Sequence, residues 1–346
     1  MQAPTQILDA SQEAQILRAV SLLNKGGIVA LPTETVYGLA AHALLPKSVA
    51  QIFAAKQRPK NNPLIWHTHS YESARSLFNF ADFSEKSKRR FNLLAENFWP
   101  GPLTIIGAKS PHISHHVDLA TIAVRIPRSH VTLKILQLLD NPLVMPSANI
   151  SSRPSPTCSD HVLKTLEGRI DALVDDGICT VGIESTVIRI DQEQLSILRP
   201  GAISAHMIEE ILGEPVLSAY KFKLAEPESP GLAHKHYAPH VAGIRLIRAD
   251  ELKAYWPTSS SIIACSSHIN ASQKTYGLRA STALTIALPD DPELFAAHIY
   301  QALYKSEEFP LENLILVMPH EVLPDNKESP WTAVFDRLSR SAGYES

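Results

Sequence analysis

Cysteine is scarce in this sequence: Cys158, Cys179 and Cys265 are the only three in 346 residues, far apart and without a CxxC pair. That excludes a disulfide framework and a thiolate zinc site, and it suits a reducing compartment. Long apolar runs are missing as well. No stretch of about 18 apolar residues occurs, and the N-terminal MQAPTQILDASQEAQ has no charged segment followed by an apolar one. The expectation is a soluble, cytoplasmic chain with no membrane partner. Charge of one sign is also lacking, because 32 Lys and Arg stand against 35 Asp and Glu for a net charge of -3. The chain has no global attraction to polyanions, so a nucleotide or RNA contact must come from a local basic cluster. The 14 glycines form no dinucleotide fingerprint and no GxSxG elbow, which removes the hydride-transfer and serine-hydrolase readings. GPLTIIGAKS (101–110) has the wrong Gly-to-Lys spacing for a phosphate loop and reads as a strand.

What remains is apolar enough to fold. The chain is 45% hydrophobic and 19% charged, and it exceeds the roughly 250 to 300 residues at which single cores stop growing. Two domains follow: 1–213, a linker over 214–240, and 241–346. Helical spacing predicts a helix after an N-cap at Ser11, then one over 46–56 opened by Pro46, and others over 91–98, 131–139, 163–174, 292–305 and 331–343. Strands are predicted over 27–33, 62–67, 102–108, 121–127 and 142–146, with a hairpin joining 184–190 to 195–200. The order predicts an α/β fold with a mixed, twisted open sheet flanked by helices. GIRLIRA, SIIACS, ALTIALP and NLILVMP add a smaller Rossmann-like α/β unit behind a proline-punctuated linker.

Several polar segments follow predicted strands, where open α/β sheets bind ligands. PTETVYGL (32–39) is either a hydroxyl-rich ligand loop or an ordinary polar turn. KQRPKNNP (56–63) gathers Lys56, Arg58 and Lys60 at a helix C-terminus, where cations suit the helix dipole in any case, so a phosphate loop and a solvated basic loop both fit. PSANISSRPSPT (146–157) can aim several hydroxyls at one ligand or form a Ser/Pro surface loop. In GIESTV and LRPGAIS, Ser185 and Arg199 are able to bind a nucleotide or an acid, or to be satisfied buried groups. His112, His115, His116 and Asp118 sit close together, but no further fixed ligand is indicated and no metal site is expected.

Taken in order, PTETVYGLA, KQRPKNNPL, WPGPLT, AVRIP, PSANISSRPSPT, GIESTV and RPGAIS resemble the YrdC-like threonylcarbamoyl-adenylate synthases. SPGLAHKHYAP (229–239) and the segments after it resemble the linker and C-terminal domain of that family's longer form. Ser152 and Asp176 depart from glycines common at those points. The resemblance implies a nucleotidyltransferase that turns L-threonine, bicarbonate and ATP into threonylcarbamoyl-AMP and pyrophosphate. The product would pass to downstream threonylcarbamoyl-transferase proteins acting on tRNA. Mg2+ would accompany ATP, held by phosphate oxygens and water. By the same resemblance Lys56 and Arg58 act on phosphate, and Arg58, Asn62, Thr121, Ser147, Ser155, Arg199 and Tyr237 bind ATP. Thr35, His67, Arg125, Met145 and Ser185 bind L-threonine, with Arg125 on its carboxylate. The linker is expected to fold over the cleft. Two alternatives share the fold: a double-stranded-RNA-binding module, whose binding would fall steeply with salt and ignore threonine, and a carbamoyl-transfer domain of the hydrogenase-maturation type, which would need acylphosphatase and zinc-finger segments absent from this sequence.

Overall fold

The computed structural model describes residues 4–113, 119–191, 194–218, 236–241, 243–255, 260–276, 284–309, 313–319 and 331–343. The first unit opens with β1 (Gln6–Asp9), α1 (Glu13–Asn24), β2 (Val29–Leu31), β3 (Gly38–His42), α2 (Pro46–Lys56) and β4 (Trp66–His67). It continues with α3 (Tyr71–Ser76), α4 (Glu85–Phe98), β5 (Leu103–Ala108), β6 (Thr121–Arg125), α5 (His130–Leu139) and β7 (Leu143–Val144). It ends with α6 (Ser159–Leu166), β8 (Ala172–Asp175), β9 (Thr186–Ile190), β10 (Leu195–Arg199), α7 (Ala205–Leu212) and β11 (Leu217–Ser218). The second unit holds β12 (Gly243–Ile247), β13 (Ser260–Cys265), α8 (Ser266–Tyr276), β14 (Thr285–Leu288), α9 (Pro292–Ser306), β15 (Asn313–Val317) and α10 (Trp331–Ala342).

The first unit is one mixed sheet of eleven strands in the order β1-β8-β2-β3-β7-β4-β6-β5-β9-β10-β11. The second is a four-stranded sheet, β12-β15-β13-β14, parallel throughout. β13 is buried at every position, as a parallel strand covered on both faces requires. Apolar clusters lie on both faces of the large sheet, one around Phe91, Trp66 and Val124 and one around Leu23, Leu136 and Val174.

The elements follow their local chemistry. Proline opens α2 and α9 at a position whose N–H has no intrahelical partner, and Asp291 caps α9 by accepting from the N–H groups of Glu293 and Leu294. Ser11, expected as the first N-cap, does not cap: Gln12 holds that position, and the Ser11 hydroxyl donates to Asp9 Oδ1 instead. The helix expected over 163–174 divides, stopping at Leu166, with Gly168 at φ +70° and Ala172, Leu173 and Val174 forming a wholly buried strand between β1 and β2. The strand expected over 62–67 shrinks to Trp66–His67, because the carbonyls of Asn62 and Pro63 accept from Arg58 rather than from a neighbouring strand. β1, β3, α3, α7 and α8 were not foreseen. Within the expected linker, Leu217–Ser218 pairs with β10 and residues 236–240 are described, whereas 219–235 lie outside the described residues.

Candidate active site

The period of two along a strand decides which side chains share a face of the sheet. Trp66, Val124 and Val144 point into the apolar cluster under α4. Their neighbours point the other way. His67 pairs with Arg125 across β4 and β6, and Met145, just past β7, donates its N–H to Ile65 O. On the next strands Thr104 and Arg199 each pair with Val187, two residues after Ser185, and the Thr104 and Ser185 hydroxyls lie 2.7 Å apart. This face carries a small apolar floor of Ile65, Ile106, Ala123, Val187 and Leu198. Polar residues ring the floor at one end.

There they line a cleft that is open at its mouth. Ten of the thirteen residues expected to bind substrate are on its wall: Thr35, Lys56, Arg58, His67, Arg125, Met145, Ser147, Ser185, Arg199 and Tyr237. The sequence reading missed Glu184, Asn149, Ser151 and His236, which also line it. Asn149 and Ser151 stand within a segment already singled out, so parity along the loop would have found them. Asn62, Thr121 and Ser155 are not on this wall. Ser155 is fully buried behind Glu184 and donates to its Oε1 at 2.5 Å. Thr121 begins β6, about 13 Å from Arg125 at its end, and borders a neighbouring cleft with Pro63, Leu64, Lys109 and Leu119, next to Asn62.

The basic loop is not a solvated surface. Lys56 and Arg58 are buried, while Lys60 alone of the three is exposed. Lys56 Nζ is committed to the loop beside it, donating to Ser147 O at 2.5 Å, Asn149 O at 2.6 Å and Asn149 Oδ1 at 3.4 Å. Burial, and then the Arg58 charge, push the Lys56 ammonium well below its ordinary pKa. Beside the phosphate role expected of it, Lys56 therefore braces the 147–151 loop. Arg58 is lowered to about 10 by burial and by Arg199, which is itself buried and bonds Ser185 O and Oγ. Two imidazoles are held neutral. His67 is depressed to about 3 by burial and by Arg125, and His236 to about 3 by burial above all.

Arg125 is aimed. Its Nε donates to Gly101 O and Nη1 to Thr35 Oγ1. Nη2 lies 2.8 Å from Glu34 Oε1, yet neither atom has a properly directed hydrogen bond. Ser151 Oγ and His236 Nδ1 on the wall, and Asn62 Oδ1 beside it, are likewise buried without a hydrogen-bond partner. Native interiors rarely leave such atoms orphaned, so their gathering at one cleft marks a place where a polar ligand completes the bonding. Among the described residues no group of three or more His, Cys, Asp or Glu side chains is arranged to hold a metal ion. His115, His116 and Asp118 lie outside the described residues. No helix among those described is long and apolar enough to cross a membrane.

The Sua5–YciO–YrdC family model, described as telomere recombination, matches residues 21–201. A second, described as threonylcarbamoyl-AMP synthase, C-terminal domain, matches residues 203–343. The threonylcarbamoyl-AMP synthase of Pyrococcus abyssi is 39% identical over 232 residues, and that of Bacillus subtilis 39% identical over 236. Each match spans 66% of this chain and 66% of the relative, just short of two thirds of the relative's length. The crystal structure of P. abyssi Sua5 complexed with L-threonine superposes with a TM-score of 0.83 at 30% identity, covering 99% of this chain and 98% of that one. E. coli YciO, at 20% identity and a TM-score of 0.50, shares the fold over 57% of this chain and 96% of its own. A sheet face built from these motifs and a family match over more than half of the chain lead to one assignment: this protein belongs to the Sua5–YciO–YrdC family.

Proposed function

We propose that this chain is an L-threonylcarbamoyladenylate synthase, taking L-threonine, bicarbonate or carbon dioxide, and ATP to threonylcarbamoyl-AMP and pyrophosphate. One observation carries the reading: Lys56, Arg58, Arg125 and Arg199 converge on a cleft on whose wall, among the described residues, Glu184 is the single carboxylate. Both reactants are anionic, and preorganised positive charge in a water-poor cleft is the principal aid a protein gives to nucleotidyl transfer. The free amine of threonine adds to carbon dioxide, losing a proton, and an oxygen of the resulting N-carboxylate attacks the α-phosphorus of ATP. The new P–O bond forms as the bond to pyrophosphate breaks, so no covalent enzyme nucleophile is needed.

The residues divide the task. Arg125 presents a fork to the threonine carboxylate, and Thr35, His67 and Ser185 surround the remaining polar groups over Met145. The neutral His67 accepts or donates without adding charge. Arg58 and Arg199 face the phosphates, and a nucleotide laid along the β6 face extends toward Asn62 and Thr121 in the neighbouring cleft. Mg2+ enters with ATP. Glu184, the one carboxylate on the wall, is already hydrogen-bonded within the protein, so the ion rides on phosphate oxygens and water. Tyr237, from the linker, is buried against this wall and suits a cover that keeps water from the mixed anhydride. The product would then be consumed by threonylcarbamoyl-transferase proteins acting on tRNA in the cytoplasm. A duplex-RNA surface is not favoured, since these cations are buried in a cleft rather than spread over a face.

The test is pyrophosphate release from ATP with and without threonine and bicarbonate. Release that needs both is expected; release indifferent to threonine, or none, overturns the reading.

A further inference from the structure

Glu184 is 6% exposed, so little solvent reaches its carboxylate. It is held instead by three donors: Ser155 Oγ, Tyr300 OH, which lies 2.9 and 3.1 Å from the two carboxylate oxygens, and Arg337 Nε at 2.8 Å. Tyr300 stands on α9 and Arg337 on α10, so two of the three donors cross from the second unit. Burial alone would raise this carboxyl, but Arg337, then Arg199 and the hydrogen bonds, hold it at about 2.

Among the described residues, Arg337 is the largest side chain that the fold buries completely. Besides Glu184 it donates to Pro200 O at 3.0 Å and to Asp336 Oδ2 at 2.5 Å, and its guanidinium carbon lies 5.3 Å from the Tyr237 ring centroid. The rest of α10 continues the pattern, with Ser341 Oγ donating to Tyr237 O and the His236 N–H donating to Arg340 O. One helix of the second unit therefore grips three segments of the cleft: the strand entry that carries Ser185, the turn after Arg199, and the linker pair His236-Tyr237. The packing agrees, since Val36, Ile183 and Tyr237 lie in the same apolar cluster as Phe295, Ile299, Tyr300 and Leu303. At Gly182 the two units touch so closely that a Cβ would stand 2.5 Å from the Ala297 backbone.

We propose that Arg337 is a positioning residue for the reaction, a buried fork through which the second unit sets Ser185, Arg199 and Tyr237 at substrate-binding distance. For its kinetic arm the proposal rests on the synthase reading above. Arg337 touches no substrate. It acts through Glu184 and Pro200, each one residue from a wall residue, and through the face of Tyr237. A planar fork with three fixed acceptors is a task for which lysine is not equivalent.

In the full chain, Arg337→Met should raise KM for ATP and for threonine together by about tenfold or more, with Arg337→Lys intermediate, since lost orientation weakens both substrates' binding. A merely structural residue would lower the folded fraction, and hence kcat, while leaving both KM values unchanged; that result overturns the proposal. Tyr300→Phe removes one donor to Glu184 but keeps the ring, and should show the same KM signature more weakly even if Arg337→Met folds poorly. Amide hydrogen exchange separates this proposal from the reaction assignment: in Arg337→Met or Tyr300→Phe, protection should fall at 183–187 and 199–203 while the β1-β8-β2 edge is unchanged. If the wild type makes no adenylate but this local loosening appears, the synthase reading fails and the coupling stands. Unchanged protection in a folded variant sinks the coupling whatever the reaction is.

Discussion

Threonine differs from serine by one methyl and from valine by one hydroxyl, and under the proposed function the two differences would be read by different residues. The methyl would lie toward Met145 and the apolar floor, where a methylene is worth about 1 to 3 kcal/mol. The hydroxyl would face Thr35, His67 and Ser185, which line the cleft, and a ligand lacking it would leave buried polar atoms unpaired. Serine should therefore be used with kcat/KM lower by roughly 10- to 100-fold, and valine should be rejected far more strongly. Competition assays of adenylate formation decide this, and equal use of valine would refute a hydroxyl-reading pocket. The two cations of the basic loop are also separable. Arg58→Met should lower activity by roughly 10² to 10³, as for removal of one preorganised phosphate contact, and should lower Tm less than the Lys56 variant does, because its bonds to Asn62 O and Pro63 O, at 3.4 and 3.0 Å, are the longer ones. Lys56→Met should lower both, because it strips the donors from Ser147 O and Asn149 O in addition to the charge. Calorimetry alongside initial rates distinguishes the pair; an unchanged Tm for Lys56→Met would return Lys56 to a purely phosphate-facing role.

At the scale of elements, α9 and α10 matter to the cleft as much as the strands that form its floor. Removing residues 229–346 takes away Tyr237, Arg337 and Tyr300 together, yet it uncovers little of the first unit's own core, since among the described residues Val36 and Ile183 are that unit's share of the second unit's cluster, with Val181 packed against it. A truncated 1–228 chain should thus remain folded by circular dichroism while its synthesis of adenylate drops at least about 10²-fold, the scale of losing oriented contacts. Full-rate synthesis by the truncated chain would show the second unit to be a passive attachment. The elements also show where sequence periodicity stops being informative. α2 was legible to the residue, because Pro46 starts it and Val49, Ile52 and Phe53 mark its face. The 163–174 stretch was not, since Leu163, Leu166, Ile170 and Leu173 keep a helical spacing by coincidence. Only pairing between β1 and β2 turns its second half into a strand.

For the whole molecule, the buried ionisable groups predict sensitivity to acid. His67 and His236 titrate near 3 and His161 near 4 in the fold, all below the ordinary value of 6.5. The unfolded chain therefore binds protons first as pH falls below 6.5, and stability declines from there down to the folded values, by at most about 1.4 kcal/mol per pH unit for each histidine. Glu184 adds in the same direction. Its folded pKa of about 2 lies below the ordinary 4.5, so its contribution is present above 4.5 and lost between 4.5 and 2. Urea unfolding should give a clearly lower midpoint at about pH 5.5 than at about pH 7.5, and His236→Gln should flatten the difference. Equal midpoints would show that these histidines are not held neutral.

The sequence by itself determined the fold class, the two units, the family and most of the cleft, because strand parity and ordered polar loops are local properties written along the chain. His67, Arg125, Thr35 and Ser185 could be named from motifs alone. The tertiary structure decided how those residues are held. That Lys56 braces a loop and that Glu184 is a junction between the units depend on partners 90 or more positions away, Asn149 and Arg337, and that Thr121 belongs to the neighbouring cleft depends on Pro63 and Leu64, which the fold brings beside it. No periodicity encodes such pairings. They arise when a buried charge must find a counter-charge or hydrogen-bond acceptors, as Glu184 finds Arg337 and Lys56 finds Asn149, and only the packed structure supplies them.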